Sequence, residues 1–200
     1  MAACTNLVNG LDPACNALKK LGGLNKRVWV GQLSQLDSYT VNGSTLDIET
    51  LVMGSDASGV FTLKKFIGRK LKNSATTEVE VGENINVINQ SVILQLYHFT
   101  SEEKKAIEDL INGEDLFAVV ENNAGQVEVY GIDTQGSASS EDPIGGLNCS
   151  AGTGGTGALL NDTTAFTITL SGQHRVLCRI FNTSASATLA DNITYLDGIS

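Results

Sequence analysis

The clearest helical pattern of hydrophobic residues lies near the middle of the chain. Four apolar residues recur there with the 3.6-residue spacing of one helix face, namely Ala106, Ile107, Leu110 and Ile111. Thr100 can act as the N-cap, and Glu103, three residues later, completes a capping box. Gly113 is expected to end the helix in a left-handed conformation. A helix of about 12 residues is marginal alone, so its apolar face must pack on neighbouring strands.

Segments with alternating or β-branched residues surround this helix and predict strands. They cover residues 26–33, 76–81, 85–99, 116–120, 126–132, 164–170 and 175–181. In the second of them, Val79 and Val81 alternate with Glu78 and Glu80, which predicts a half-buried strand. The turn at 122–125 joins two strands into a hairpin, and Ser171-Gly172 is expected to turn the chain again.

The segment 85–99 is unusually long for one strand. Its even-numbered positions are mostly apolar, whereas Asn89, Ser91 and Gln95 stand on the other face. A strand of that length, polar on one side, extends past the core of a small domain. We therefore expect a neighbouring subunit to continue its sheet.

The remaining segments are predicted to be arms and loops of one domain spanning residues 1–200. They are an N-terminal helical arm (about 1–23), a long hairpin loop (about 37–60), a Gly-rich loop (about 134–157) and a C-terminal arm (about 183–200). Asp12-Pro13 is the start of the N-terminal helix, and residues 37–60 are read as one or two hairpins facing a partner. The predicted fold class is mainly β (α+β), with one flanking helix.

Charge is divided unevenly along the chain. Residues 1–72 carry nine Lys or Arg and five Asp or Glu, a net charge of +4, whereas residues 73–200 carry four and seventeen, a net charge of −13. The basic residues concentrate in LKKFIGRKLK, at Lys64, Lys65, Arg69, Lys70 and Lys72. This basic patch is either a solvated strand and loop or a surface that docks on an acidic partner. Because the rest of the chain is acidic, self-association is a plausible use of it.

No motif has the residues of an active site. Gly152–Gly157 (GTGGTG) lacks the Lys-Ser/Thr of a phosphate-binding loop, and no GxSxG or HExxH occurs. His98 fits a partly buried side chain at a strand end, and His174 fits a turn between strands. The acidic pairs on the helix fit a solvated face. We therefore expect no catalytic residue, no metal and no cofactor, and the protein is not predicted to be an enzyme.

The cysteines and the apolar segments bear on the compartment. Cys4, Cys15, Cys149 and Cys178 form no CxxC pair, so reduced thiols are expected, with a Cys4–Cys15 disulfide as the alternative. No apolar segment reaches the length of about 20 residues that spans a bilayer, and the N-terminus has no secretory signal pattern.

The arrangement of these elements resembles tail-tube and neck (head–tail connector) ring proteins of tailed bacteriophages. A long strand leads into FTSEEKKAIEDLI, followed by the hairpin LFAVVENNAGQVEVYGI, a Gly-rich stretch and a late strand ending in TLSGQHR. The segment GGLNKRVWVGQL, followed by LDSYT, is similar to subunits of phages that infect Bacteroidetes, including crAss-like phages. The resemblance covers the whole chain, and its motifs are structural.

The resemblance implies a β-sandwich or partial barrel whose copies form a ring, commonly of six or twelve, around an acidic channel. The genome DNA passes through without specific binding, because like charges repel phosphate. The implied channel-facing residues are Glu78, Glu80, Asn89, Ser91 and Gln95, and the basic patch and the 37–60 segment are implied contacts between subunits or rings. The other implied partners are adjacent tail or neck ring proteins and portal-proximal virion proteins, with no membrane. The implied location is the virion, after assembly in the host cytoplasm.

Two other functions compete with this one. A ligand-binding β-sandwich module that recognises sugar or protein is disfavoured because Trp29, the single tryptophan, lies in a core-like strand. A virion decoration or fibre-attachment protein is the second, although the chain has no collagen-like or heptad repeat.

Overall fold

A computed structural model of the chain describes residues 23–68, 72–82, 86–97, 100–133, 144–155 and 165–200. Within them the strands are Leu24–Gln32 (β1), Leu36–Val41 (β2), Ile48–Met53 (β3), Ser55–Asp56 (β4), Gly59–Val60 (β5), Lys64–Ile67 (β6), Ser74–Val81 (β7), Asn86–Leu96 (β8), Leu116–Asn122 (β9), Val127–Tyr130 (β10), Ile132–Asp133 (β11), Ile144–Gly145 (β12), Asn148–Gly155 (β13), Ala165–His174 (β14) and Arg179–Ile180 (β15). The α-helices are Ser101–Asn112 (α1) and Leu189–Gly198 (α2), and Leu33–Gln35 forms one 3₁₀ turn.

Two antiparallel sheets make up most of the fold. The first has five strands in the order β15-β10-β9-β1-β6, and the second has four in the order β13-β14-β8-β7. The pairs β2–β3, β4–β5 and β11–β12 form small two-stranded sheets. The fold is mainly β and sandwich-like, which confirms the predicted fold class.

The five-stranded sheet is covered on both faces. On one side, Val28 and Val30 of β1 join a core cluster with Leu94 of β8 and with α1. Trp29 points to the opposite side and joins a second cluster with Leu51 of β3 and with α2. Because both faces are buried, the central strand β9 has no solvent face, and residues 116–121 are all buried.

Helix α1 begins as predicted and ends differently. Thr100 Oγ1 accepts a hydrogen bond of 3.2 Å from Glu103 N, and Thr100 N donates one of 2.8 Å to Glu103 Oε2, which completes the capping box. The left-handed stop predicted at Gly113 is wrong, since its φ is −70°. Asp115 takes the left-handed conformation instead, with φ of 49°. Three residues, 113–115, therefore separate the end of α1 from the start of β9.

The hairpin after α1 is confirmed as β9 and β10, in which Glu121 lies opposite Val127. Its turn is held by Asn122, whose Oδ1 accepts hydrogen bonds from Ala124 N at 3.0 Å and Gln126 N at 2.9 Å. Gly125 supplies the positive φ, at 81°, that closes the turn.

The long central strand, β8, is shorter than the 85–99 predicted, and residues 85, 98 and 99 lie outside the described part of the chain. The half-buried strand predicted at 76–81 is wrong in its second half. Val79 and Val81 remain 58% and 78% exposed. The core cluster takes Ala75 from the first half of β7 and Val92, Leu94 and Leu96 from β8, and it does not include Val79 or Val81.

The predicted turn at Ser171-Gly172 is wrong, because β14 continues through it to His174 and stays paired with β8. Gly172 serves close packing instead, since a Cβ there would lie 2.1 Å from the carbonyl oxygen of Gly146. His174 is consequently a buried strand residue, 2% exposed, and not part of a turn. Of the strand predicted at 175–181, only Arg179–Ile180 forms.

The hairpins predicted at 37–60 are confirmed, and part of the predicted Gly-rich loop is a strand. Residues 37–60 form two hairpins, β2–β3 and β4–β5, and β3 buries Ile48 and Leu51 in the second core cluster. In the Gly-rich segment, Asn148–Gly155 pairs with β14 as strand β13. The rest of that segment from 134 to 143, and the N-terminal arm from 1 to 22, lie outside the described residues.

The C-terminal arm is helix α2, docked on its own chain. Thr188 and Asp191 form a capping box that starts the helix, and Leu196 is fully buried. The hydroxyl of Tyr195 donates to Leu51 O at 3.0 Å and accepts from Leu51 N at 3.3 Å. The fold therefore has two helices in its described part, where one flanking helix was predicted.

Candidate functional site

The five predicted channel-facing residues lie on one face of the four-stranded sheet. Because side chains alternate along strands, the pairing of Glu78 with Asn89 places both on the same side of β7 and β8. Glu80 shares that side on β7, and Ser91 and Gln95 share it on β8. We call this side, away from the core, the outer face.

The outer face is polar and continues onto β14. Ser91 lies opposite Ser171, and Gln95 lies opposite Thr167. Glu78 and Glu80 are exposed, whereas Asn89, Ser91 and Gln95 are half-buried among their neighbours. Asn89 Nδ2 donates to Glu80 Oε2 at 3.4 Å, and Gln95 N donates to Asn73 Oδ1 at 2.9 Å. The result is a surface mainly of hydroxyls, amides and two carboxylates, in which β8 also places the half-buried apolar side chains of Val87 and Ile93.

Positive charge is separated from this surface. None of its four strands contains a lysine or an arginine. The basic residues found in the described strands belong to the five-stranded sheet, and they are Lys26, Arg27, Lys64, Lys65 and Arg179. Among the described strands, lysine and arginine thus belong to only one of the two large sheets, which the sequence pattern alone could not place in space. Two of these cations form ion pairs within the chain, Arg27 with Glu121 at 2.9 Å and Lys65 with Asp197 at 2.7 Å.

The predicted basic patch is only partly described. Arg69 and Lys70 lie outside the described residues, while Lys64 and Lys65 form half of β6 and Lys72 is exposed. Lys65 Nζ contacts the two carboxylate oxygens of Asp197 at 2.7 and 2.8 Å and lies 5.6 Å from the Trp29 ring centroid. Lys65 therefore holds helix α2 of its own chain, while Lys64 Nζ reaches only Thr62 Oγ1, at 3.1 Å.

A groove lies beside β6, and sequence reasoning missed it. Its volume is about 720 Å³, and it runs between β6 and helix α1. Apolar side chains form much of its lining, among them Phe66, Ala106 and Ile107. These residues are about 40 positions apart in sequence, so no local pattern could have revealed that they share a surface.

One buried polar cluster lies where β14 meets the β11–β12 pair. Both ring nitrogens of His174 are buried without a hydrogen-bond partner among the described residues, as is Asp133 Oδ1, while Asp133 Oδ2 accepts from Arg175 N at 3.3 Å. Burial lowers the pKa of His174, and the nearby Asp133 carboxylate opposes that effect. Gln90 spans the same region, accepting from Gly131 N and donating to Val176 O, each at 2.9 Å.

Other chemistry in the described residues is sparse. Among them, no group of three or more His, Cys, Asp or Glu is placed to hold a metal ion. Burial raises the pKa of Tyr130, with further contributions from Cys178 and from Glu128, to which its hydroxyl donates at 2.8 Å. Cys149 and Cys178 are free, half-buried thiols, and Cys4 and Cys15 lie outside the described part of the chain.

Comparison with known proteins identifies no relative: no family model, no curated protein and no solved structure matches the chain. Of the helices in the described residues, neither has the length and apolar character to cross a bilayer.

Proposed function

We propose that the protein is a structural subunit of a tailed-phage tail or neck, which associates into a ring or tube with the outer face lining a channel. The observation that carries this proposal is that five polar residues selected from sequence lie on one lysine- and arginine-free sheet face. Such a face gives a passing polyanion hydration and repulsion without a cation to hold it.

The edges of the four-stranded sheet support association between copies. Its outermost strands are β13 and β7, of eight residues each, and no described strand pairs with them from outside. An open edge offers unpaired backbone N–H and C=O groups to another chain. Head-to-tail association that closes on itself removes such edges, as in a ring.

The proposed partners follow from this role. Copies of the chain form a ring, six- or twelve-fold, which contacts adjacent tail or neck ring proteins and portal-proximal virion proteins. The genome DNA passes through the channel without specific binding. The proposed location is the virion, after assembly in the host cytoplasm.

The first test is the assembly state of the purified chain. Negative-stain electron microscopy with light scattering is expected to show rings or short tubes with a central hole. A particle of 21.1 kDa at every concentration and salt tested, alone and with other virion proteins, contradicts the proposal.

A second test asks which surface lines the hole. Replacing Ser91 and Gln173 by lysine adds two positive charges to the outer face, and assembled rings of that variant are expected to retain double-stranded DNA at low salt. The matched control adds two lysines elsewhere, at the exposed positions Asn112 and Ser186. Equal DNA retention by both variants contradicts the assignment of the outer face to the channel.

A further inference from the structure

We propose that copies join head to tail through two sheet edges with which no described strand pairs: the segment Glu78–Val81 of β7 in one copy adds as a strand to β6, Lys64–Ile67, of the next. This inference rests on the proposed function only for the premise that copies associate.

The receiving edge is β6, the last strand of the five-stranded sheet. Leu63 N donates outward to Ile199 O at 2.9 Å, so the backbone just before β6 already bonds the C-terminal end of α2 at one position. Because backbone groups alternate in direction along a strand, the N–H and C=O groups of Lys65 and Ile67 point outward, to the same side as Leu63 N. No described strand meets them there, and the Ile67 side chain is 60% exposed.

The groove beside β6 supplies room for an added strand. Phe66 packs with the cluster that contains α1, and together with Ala106 and Ile107 it lines the groove. A strand placed on the free edge of β6 would lie over this groove. Its side chains on that side would contact apolar surface, so the groove calls for an apolar partner face.

The donating edge has the matching residues. Beyond the covered part of its sheet, β7 exposes Val79 and Val81 on one side and Glu78 and Glu80 on the other. These four residues equal the length of β6. Among the described strands, only β8 pairs with β7, and it does so along one side.

Side-chain alternation fits both faces at once. On β6, Phe66 lies opposite Val28 and faces the groove, whereas Lys65 lies opposite Trp29 and faces the other way. If Val79 and Val81 of the neighbouring copy lie on the same side of the extended sheet as Phe66, they cover the groove. Glu78 and Glu80 then lie on the opposite side, next to Lys65 and Ile67. A glutamate of the neighbour then lies beside Lys65, which also contacts Asp197 of its own chain, and opposite charges across neighbouring strands favour pairing. Glu78 and Glu80 thus mark the border of the outer face between copies.

The two edges lie at opposite ends of the molecule, which sets the direction of assembly. Val81 pairs with Asn86 at the start of β8, while Leu96 at the end of β8 lines the groove. Eleven residues of strand separate them, or about 35 Å. Head-to-tail pairing of two copies leaves one β6 edge and one β7 edge without a partner copy, so the contact repeats from copy to copy until a ring closes or a filament grows.

The test uses full-length chains in which one edge at a time is blocked. Ile67→Glu places a third carboxylate beside Glu78 and Glu80 of the neighbour, and Val79→Glu places one over the apolar groove. Both positions are exposed in the isolated chain, so folding should be retained, which circular dichroism and thermal unfolding check. Val60→Glu, at a position 72% exposed on β5, is the matched control.

Each blocked variant alone is expected to be a monomer by light scattering, and the control is expected to assemble like the wild type. The Ile67→Glu variant keeps an unaltered β7 edge, and the Val79→Glu variant keeps an unaltered β6 edge. Mixed in equal amounts, they should form a 1:1 heterodimer of twice 21.1 kDa that does not assemble further. Normal assembly by both variants, or no heterodimer on mixing, overturns the β6–β7 contact even if rings exist. A wild-type chain that never assembles overturns the proposed function as well.

Discussion

The indole N–H of Trp29 donates a hydrogen bond of 3.0 Å to Oδ1 of Asp197. Trp29 is fully buried in the central sheet, and Asp197 lies 168 residues later, near the end of α2. The Asp197 carboxylate also forms a salt bridge with the ammonium group of Lys65, at 2.7 Å. One side chain therefore ties the last helix to two adjacent strands, β1 and β6.

Replacing Asp197 by alanine is expected to lower the free energy of unfolding by about 1–3 kcal/mol, because the buried indole N–H loses its acceptor. Asp197→Asn keeps an acceptor oxygen and should cost less. Urea unfolding followed by Trp29 fluorescence measures both variants. Equal stability of wild type and Asp197→Ala would show that α2 does not depend on this contact.

The same carboxylate gives a prediction on pH. Hydrogen bonding to Lys65, with that to Trp29, holds the pKa of Asp197 below its usual value of 3.8. Its stabilising contribution is therefore complete above pH 3.8 and is lost as the pH falls through the lowered pKa. The difference in stability between wild type and Asp197→Asn should shrink over that acid range, measured by unfolding at a series of pH values.

His174 should make the fold less stable at mildly acid pH. Burial lowers the pKa of His174 below the ordinary 6.5, so the unfolded chain binds the proton more readily than the folded chain. Stability should fall as the pH drops from 6.5 toward the lowered pKa. His174→Asn is expected to have a flatter stability profile between pH 7 and pH 5, and an unchanged slope would contradict this role.

Gly131 is predicted to tolerate no side chain. Its φ is +91°, and a Cβ there would lie 2.7 Å from Leu116 O. Gly131→Ala should therefore destabilise the protein by more than about 1 kcal/mol. Gly43→Ala is the control, since no atom lies within 4 Å of its added Cβ, and it should change stability by less than about 0.5 kcal/mol.

The N-cap of α2 is predicted to contribute to the stability of the fold. Thr188 Oγ1 accepts from Asp191 N at 3.3 Å, and Asp191 Oδ2 accepts from Thr188 N at 2.8 Å. Thr188→Ala should cost about 1 kcal/mol. Thr188→Ser retains the hydroxyl and should lie near wild type in thermal unfolding.

Local patterns were sufficient wherever the deciding interactions are close in sequence. The start of α1 follows from Thr100 and Glu103, which bond to each other across three residues. The β9–β10 turn follows from the side-chain hydrogen bonds of Asn122 and from the positive φ of Gly125, and neither needs a distant partner. The Thr188–Asp191 pair carries the same signal for α2, but its apolar spacing is weak, so the tail was predicted as an arm.

Tertiary structure decided the features that depend on contacts between distant residues. Gly172 is an ordinary turn residue by sequence, yet packing against Gly146 keeps it inside β14. Val79 has the alternation of a half-buried strand, yet it stays exposed and lies outside the core cluster that Ala75 of the same strand joins. The groove between β6 and α1, and the distribution of lysine and arginine between the two sheets, also depend on contacts between distant residues. Sequence periodicity assigns a residue to a face, and only the packing of sheets determines what covers that face.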